Sequence, residues 1–196
     1  MNFVKNFAAV AVCVSTFALT SCGSAESQDE ATSGDSTAAT AASVESVRAE
    51  AVITSTYPDT AVTGNATFDV VNGKVKLSLT ISAPAKANKS VAVHIHEHPG
   101  CGDNGKEAHG HWNPTKENHG KWGSAAYHSG DIGNVQLDAE GRGTAELETD
   151  RWTIGGDSTT NILNRSIIVH GGVDDYKTQP TGDAGNRIGC GIINKK

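Results

Sequence analysis

The sequence predicts an all-β domain, a Greek-key sandwich or barrel of about eight antiparallel strands with two long functional loops. Short segments of alternating apolar and polar residues recur from about residue 49 onward, and turn residues separate them. No segment of that region shows the apolar period of an amphipathic helix. Aromatic residues make up only 5% of the chain and glycines number 22, a composition that favours turns and strands.

The first 21 residues are predicted to be a lipoprotein signal peptide and not a part of the fold. Lys5 precedes an apolar run from Phe7 to Leu19, which is short for a transmembrane helix and ends in small residues. The stretch LTSC at 19–22 resembles the lipobox of bacterial lipoproteins, in which the cysteine, here Cys22, becomes the lipidated first residue. The alternative is an ordinary signal peptide followed by a chance cysteine.

Residues 22–48 are predicted to be a lipidated, disordered tether. After Cys22 they are mainly Ser, Ala, Thr and acidic residues with almost no bulky apolar side chain. Such a segment cannot bury enough surface to offset its ordering entropy. We therefore expect a folded domain at 49–196 that is exported to the bacterial cell envelope. There it would be lipid-anchored to a membrane, facing the periplasm or lying at the cell surface.

The first strands of that domain are predicted around a tight turn. Residues 74–81 (KVKLSLTI) alternate strictly between apolar and polar side chains, as a half-buried strand does. A second strand-like segment, 66–71, precedes them. Asn72-Gly73 lies between the two, and this pair favours a hairpin because its turn needs positive φ at both central residues.

Later segments complete the predicted strands. Residues 134–138 and 144–149 are expected to form a second hairpin around a turn at 139–143. Residues 166–170 and 187–193 are apolar enough to lie deep in a core.

Two stretches, 98–133 and 171–186, have no apolar periodicity and are rich in Gly, Asn, Asp and His. Loops longer than about 15 residues inside a compact domain are usually functional. All eight histidines lie between 94 and 170, and the first loop holds five of them together with a cysteine. We therefore expect metal ligands and a disulfide to supply the cohesion that an apolar core does not.

The segment VAVHIHEHPGC at 91–101 points to a metal site on a strand. Alternate side chains of a strand share a face, so His94 and His96 can bind one ion from a rigid platform. His98 has the same spacing, but Pro99 and Gly100 follow immediately, and the strand is expected to end there. Imidazole suits copper and zinc, and one carboxylate among histidines is compatible with zinc. Any one of these histidines taken alone would be interpreted as a polar loop residue.

The four cysteines divide according to the predicted export. Cys13 leaves with the signal peptide and Cys22 is acylated, so the mature domain keeps Cys101 and Cys190. In an oxidising compartment these two most simply form a disulfide. The alternative is a pair of free thiols.

A series of short motifs spans 94–191. They are HIH at 94–96, HWNP at 111–114, HG at 119–120, His128 followed by GDIGN at 130–134, VH at 169–170, Asp174, and GNRIGCG at 185–191. In this order they resemble the copper/zinc superoxide dismutase family, and the resemblance covers nearly everything from about 49 to 196.

The resemblance implies copper and zinc as cofactors and assigns their ligands. The implied copper ligands are His94, His96, His111 and His170, and the implied zinc ligands are His111, His119, His128 and Asp131. His111 would bridge the two metals, and Asp174 would accept hydrogen bonds from His94 and His119. His98 and His109 have no place in this pattern. They are either solvated loop residues or a low-affinity place for incoming metal.

The resemblance also implies an enzyme that converts superoxide to dioxygen and hydrogen peroxide by redox cycling of copper, with structural zinc. His111 would deliver a proton to the forming peroxide, and Arg187 would guide the small anionic substrate to the metal. Cys101–Cys190 would connect the first loop to the strand that carries Arg187. Lys177 is the only basic residue in loop 171–186 itself, so electrostatic guidance is expected to be weak there.

Two other classes of function compete with the enzyme. One is an envelope copper/zinc-binding protein on the same fold without turnover, and the other is an adhesion or recognition domain. Both predict a missing copper ligand or a missing arginine, and this sequence lacks neither. The net charge of -6 and the lack of a basic stretch argue against a nucleic-acid partner. The expected partners are superoxide and, through Cys22, a membrane; the oligomeric state stays open.

Overall fold

Nine β-strands and two short 3-10 turns, Pro84–Lys86 and Lys106–Ala108, make up the regular structure of residues 47–196, which the computed structural model describes. The strands are β1 (Arg48–Ser55), β2 (Thr63–Val71), β3 (Lys74–Ser82), β4 (Ser90–His96), β5 (Gly133–Gln136), β6 (Arg142–Thr149), β7 (Ser166–His170), β8 (Arg187–Ile192) and β9 (Asn194–Lys195). The predicted signal peptide, Cys22 and the tether as far as residue 46 lie outside the described residues. Over 47–196, no helix has both the length and the apolar character needed to cross a membrane.

Eight strands follow one antiparallel path in the order β5-β4-β7-β8-β1-β2-β3-β6, and β9 pairs with β1. The connections from β3 to β4 and from β6 to β7 join strands that are not neighbours, which gives the sheet its crossed Greek-key connectivity. The two ends of the path, β5 and β6, approach each other and nearly close a barrel. The predicted all-β antiparallel fold is therefore confirmed.

The hairpin predicted around Asn72-Gly73 is confirmed. Strands β2 and β3 pair in register from Thr63 opposite Ser82 to Val71 opposite Lys74. The turn residues have positive φ, 50° at Asn72 and 78° at Gly73, as a two-residue hairpin turn requires.

The second predicted hairpin, between residues 134–138 and 144–149, is wrong, because these two segments do not pair with each other. Strand β5 pairs with β4 and strand β6 pairs with β3, so the two segments are joined only near their turn. There the Asp138 backbone N–H donates to the Arg142 carbonyl at 2.9 Å. Gly143 packs closely against the end of β5, because a Cβ added to it would lie 2.6 Å from Leu137 Cδ2 and 2.7 Å from the Gln136 carbonyl oxygen. No ladder joins the described strands β5 and β6, and the barrel remains open between them.

The core of the barrel positions the histidine-bearing strands. Every residue of β7 is buried, and in β4 only Ser90 is partly exposed. Val93 and Ile95 of β4 belong to the main apolar core. His94 and His96 alternate with them and point to the opposite face, where loops 98–133 and 171–186 cover them. Strand β4 ends at His96, so His98 leaves that face as the sequence predicts.

The predicted disulfide between Cys101 and Cys190 is present. The two Cα atoms are 5.7 Å apart, and the cysteines are separated by 89 positions in the chain. Cys190 lies on β8 and packs with Ala108 and Ile168 in a small second apolar cluster. The bridge therefore joins the first loop to the strand that begins with Arg187.

Candidate metal centre

Four buried histidines meet where β4 and β7 run side by side; we call them the four-histidine cluster. They are His94 and His96 of β4, His111 of the first loop and His170 of β7. His96 Nε2 lies 3.3 Å from His170 Nε2, and the ring centroids of His94 and His111 are 3.9 Å apart. One nitrogen of each ring lies within 4.8 Å of those of the other three. These are the residues that the sequence assigned to copper.

A second buried group, which we call the carboxylate cluster, contains His111, His119, His128 and Asp131. The three Nδ1 atoms surround one carboxylate, with His111 Nδ1 at 2.8 Å and His119 Nδ1 at 3.0 Å from its nearer oxygen. His128 Nδ1 is 3.3 Å away. These are the residues that the sequence assigned to zinc, and His111 belongs to both clusters.

Backbone carbonyls fix the tautomers of three of these rings. The carbonyl of His109 accepts from His96 Nδ1 at 2.8 Å, and that of Gly185 accepts from His170 Nδ1 at 3.2 Å. In the carboxylate cluster, the Glu117 carbonyl accepts from His128 Nε2 at 3.1 Å. Since a carbonyl can only accept, the bonded nitrogen carries the proton. The other nitrogen of each neutral ring therefore has a free lone pair.

Asp174 fixes two further rings, His94 and His119, which are the partners that the family resemblance implies. Its buried carboxylate accepts from His94 Nε2 and from His119 Nε2, both at 2.9 Å, so it spans the two clusters. The backbone N–H of Tyr176 also donates to it at 2.7 Å. In the neutral His94 ring Nδ1 is then the nitrogen with the lone pair, whereas His119 Nδ1 faces Asp131 at 3.0 Å.

The free nitrogens show that the residues fit metal ions. His94 Nδ1 and His111 Nε2 are buried and have no hydrogen-bond partner, and the buried His119 Nδ1 and His128 Nδ1 have only the carboxylate of Asp131 beside them. Leaving a buried polar atom without a partner costs about 1–3 kcal/mol, so two such atoms beside three nitrogens that converge on one carboxylate need an explanation. Neutral imidazoles alone suit copper, and three imidazoles with one carboxylate form a common tetrahedral zinc donor set. Each cluster therefore has the donors for one of these metals.

Burial keeps the four-histidine cluster neutral. It lowers the pKa of His94, lowers the pKa of His96 and of His170 well below 6.5, and lowers the pKa of His111 to about 3. At neutral pH these rings are neutral, with one nitrogen free of a proton, which is the form that binds metal.

In the carboxylate cluster, the pKa of one histidine is raised instead of lowered. Burial by itself lowers the pKa of His119, but the hydrogen bonds and negative charges of Asp131 and Asp174 outweigh it and raise that pKa to about 9. Burial by itself raises the pKa of Asp131, yet its histidine neighbours hold it well below the usual range. Without metal, His119 is therefore protonated at neutral pH, and a metal must displace that proton.

Comparison with known proteins decides the family. Residues 62–193 match the family model for copper/zinc superoxide dismutase (SODC). The chain belongs to the copper/zinc superoxide dismutase family.

Named relatives agree with this assignment. The chain is 33% identical over 142 residues to the Cu-Zn superoxide dismutase of Humicola lutea, covering 69% of this chain and 92% of the relative. It is 33% identical over 91 residues to Cu-Zn superoxide dismutase 1 of Aquifex aeolicus (strain VF5), where it spans only about half of the relative, 54%. The crystal structure of the clock protein EA4 superposes with a TM-score of 0.64 at 31% identity, covering 75% of this chain and 93% of the other.

In this copper/zinc superoxide dismutase family member, the guanidinium of Arg187 is a fixed cation beside the four-histidine cluster. Its guanidinium donates to the carbonyls of Gly105 at 2.6 Å and His109 at 2.5 Å. After burial and the neighbouring histidines, its positive charge contributes to the lowered pKa of both His96 and His170. The side chain is only half-buried, so a small anion can approach it.

Two polar residues of the family fold had no assigned role in the sequence. Asn134 donates to the Asp174 carbonyl and accepts from the Asp174 N–H, both at 2.9 Å. Gln179 accepts from the His119 N–H at 2.8 Å and donates to the His119 carbonyl at 2.9 Å. These paired bonds hold the backbone beside Asp174 and His119. Asn134 closes the GDIGN motif and lies on β5, but nothing in that motif names Asp174 as its partner, and Gln179 is a lone amide side chain in a loop that carries no sequence pattern.

Proposed function

We propose that this protein is a superoxide dismutase that converts superoxide to dioxygen and hydrogen peroxide. Copper would be held by the four-histidine cluster and zinc by the carboxylate cluster. The observation that carries the proposal is His111, one buried ring shared by two complete donor sets with a fixed cation nearby. A storage protein for either metal needs neither the shared ring nor the cation.

Copper, when bound, supplies a centre that alternates between two oxidation states, whereas zinc has a single one. The remaining work falls to the protein. His111 Nε2 is a buried nitrogen without a partner, where the ring can hold a proton and donate it to the forming peroxide. The Nδ1 side of the same ring faces Asp131 at 2.8 Å and belongs to the carboxylate cluster, which would hold zinc.

Arg187 would attract and position the anionic substrate. Its two backbone acceptors fix the planar guanidinium, so the charge is preorganised and needs no rearrangement when an anion arrives. The net charge of the chain is -6, but a fixed cation in a cleft dominates the field close to it.

The experiment compares Arg187→Ala and Arg187→Lys with the wild type, measuring metal content and the rate of superoxide dismutation at several salt concentrations. Arg187→Ala should keep both metals and lose on the order of tenfold or more in rate, since steering contributes that much at charged clefts. Arg187→Lys should lie between, because it keeps the charge but loses the planar donor fork. The rate of the wild type should fall with salt, and this dependence should flatten in Arg187→Ala.

Arg142→Ala is the matched control, because Arg142 is exposed on β6, which pairs with β3 and carries no residue of either cluster. It should leave the rate and its salt dependence unchanged. An Arg187→Ala protein with the rate and salt dependence of the wild type would contradict the proposed role. The metal-binding protein without turnover would then be the better description.

We further propose that the protein is exported and anchored through lipid at Cys22. The support is the LTSC stretch at 19–22 after an apolar run. Cys22→Ser should move the protein from the membrane fraction to the soluble fraction while the dismutation rate stays the same, because the acyl chains determine only its location. Mass spectrometry that found Cys22 unmodified, or the mature chain starting elsewhere, would contradict the anchor.

A further inference from the structure

A third group of metal-binding side chains lies on the surface, outside both buried clusters. Glu97, His98 and His109 are exposed, and one donor atom of each lies within 4.8 Å of the other two. The rings of His98 and His109 are 4.3 Å apart at their centroids. Neither histidine contributes its side chain to the centre described above.

The backbone holds these three residues in place without any ion. The Glu97 N–H donates to the Gly110 carbonyl at 3.1 Å, and the His98 N–H donates to the Ala108 carbonyl at 3.2 Å. These bonds extend the bridge between His96 and His111 into a short antiparallel pair. His98 and His109 therefore face each other across two paired segments. Folding already brings them together, so metal binding does not carry that entropic cost.

His109 has an unusual backbone conformation, with φ 60° and ψ −141°. Residues with a side chain rarely adopt this region, and such outliers concentrate at functional sites. Here the conformation turns the His109 carbonyl inward, where it accepts from His96 Nδ1 and Arg187. It leaves the imidazole outside, against His98. A glycine would satisfy the backbone at lower cost, so the backbone alone does not explain a histidine here.

We propose that Glu97, His98 and His109 form a third metal site, on the surface, that binds Cu²⁺ or Zn²⁺. Two imidazoles and a carboxylate suit both ions, and copper should bind more tightly because it stands higher in the Irving–Williams order. Three protein ligands leave coordination positions to water, so an ion held there is exposed and exchangeable, unlike one enclosed in the buried clusters. The side chains of these three residues take no part in the proposed dismutase reaction.

The test uses the full chain with both buried sites loaded and loosely bound metal removed. Equilibrium dialysis against copper(II) chloride should find about one further Cu²⁺ per chain in the wild type, with imidazole nitrogen couplings in its electron paramagnetic resonance spectrum. His98→Asn should weaken this extra binding at least about tenfold, and Glu97→Gln should weaken it less. Glu140→Gln, which changes another exposed carboxylate in the turn before β6, should bind like the wild type.

His109→Gly is the second variant. It removes the other imidazole and suits the positive φ, so it tests the site even where His98→Asn disturbs folding. Extra copper bound by this variant as tightly as by the wild type would overturn the proposal, and so would a wild type without an extra equivalent. His170→Ala separates the surface site from the proposed dismutase function. It damages the buried copper ligands, whereas the copper ion bound at Glu97, His98 and His109 should persist. An active enzyme is therefore not needed for the surface site to be tested.

Discussion

Replacing Asp174 with asparagine should weaken metal binding without touching a metal ligand. The Asp174 carboxylate accepts from His94 Nε2, His119 Nε2 and the Tyr176 backbone N–H. An amide has one oxygen, and its NH₂ group can only donate. One of the two rings must then face a donor and move its proton from Nε2 to Nδ1, which removes the lone pair that would bind the metal.

The structure sets the size of this effect. Both partners of each histidine–Asp174 pair are buried, with side-chain exposures of 0%, so solvent does not screen the loss. A hydrogen bond to a charged group contributes about 1.5–3 kcal/mol, and about 1.4 kcal/mol corresponds to tenfold in affinity. We therefore expect metal affinity to fall by about 10–100-fold. Zinc should be lost before copper, because copper binds imidazole sites more tightly.

The assay is competition with chelators of known affinity, read separately for zinc and copper. Asp175→Asn is the matched control, because Asp175 is the adjacent exposed aspartate and its carboxylate accepts hydrogen bonds within its own turn, from Lys177 and Thr178. It should bind both metals as the wild type does. Equal zinc affinity in Asp174→Asn and Asp175→Asn would refute the reasoning, because tautomer control by Asp174 would then contribute nothing.

Three further predictions concern stability and the loop around Asp174. Replacing both Cys101 and Cys190 with serine should lower the free energy of unfolding of the metal-free protein by about 4–5 kcal/mol in urea titrations, since the bridge spans 89 positions; a loss below about 1 kcal/mol would contradict this. The pKa of His111 falls from 6.5 to about 3 on folding, so its contribution to the stability of the metal-free protein is complete above 6.5 and is lost as the pH falls toward 3. Urea titrations should show that loss in the wild type and a smaller one in His111→Asn; equal losses would count against it. Gly182→Ala should weaken zinc binding, because the added Cβ would overlap the Asp174 carboxylate and the φ of this residue is 71°. Chelator competition measures the zinc affinity, and an unchanged affinity would contradict this prediction.

The strands were predictable where local pattern and local pairing agree. Residues 74–81 alternate, Asn72-Gly73 supplies the turn, and the resulting hairpin needs no information from the rest of the chain. The segments around 139–143 carry similar signals, yet β5 and β6 pair with other strands. A turn brings two segments together, but whether they exchange hydrogen bonds depends on which partners the rest of the sheet offers them.

The sequence by itself determined the donor types and the motifs that contain them. His94 and His96 alternate on a strand, which is a local property, and the order of the other motifs indicated the family. Only the tertiary structure decided which nitrogen of each ring is free, because the tautomers are fixed by backbone carbonyls of irregular loops and by Asp174, which is 80 positions from His94. It also decided that His98 and His109 meet, since their contact depends on a backbone pairing between two segments of an irregular loop. The sequence specifies the chemical type of each side chain, whereas the protonation state of a side chain and its distance from others depend on neighbours that only folding supplies.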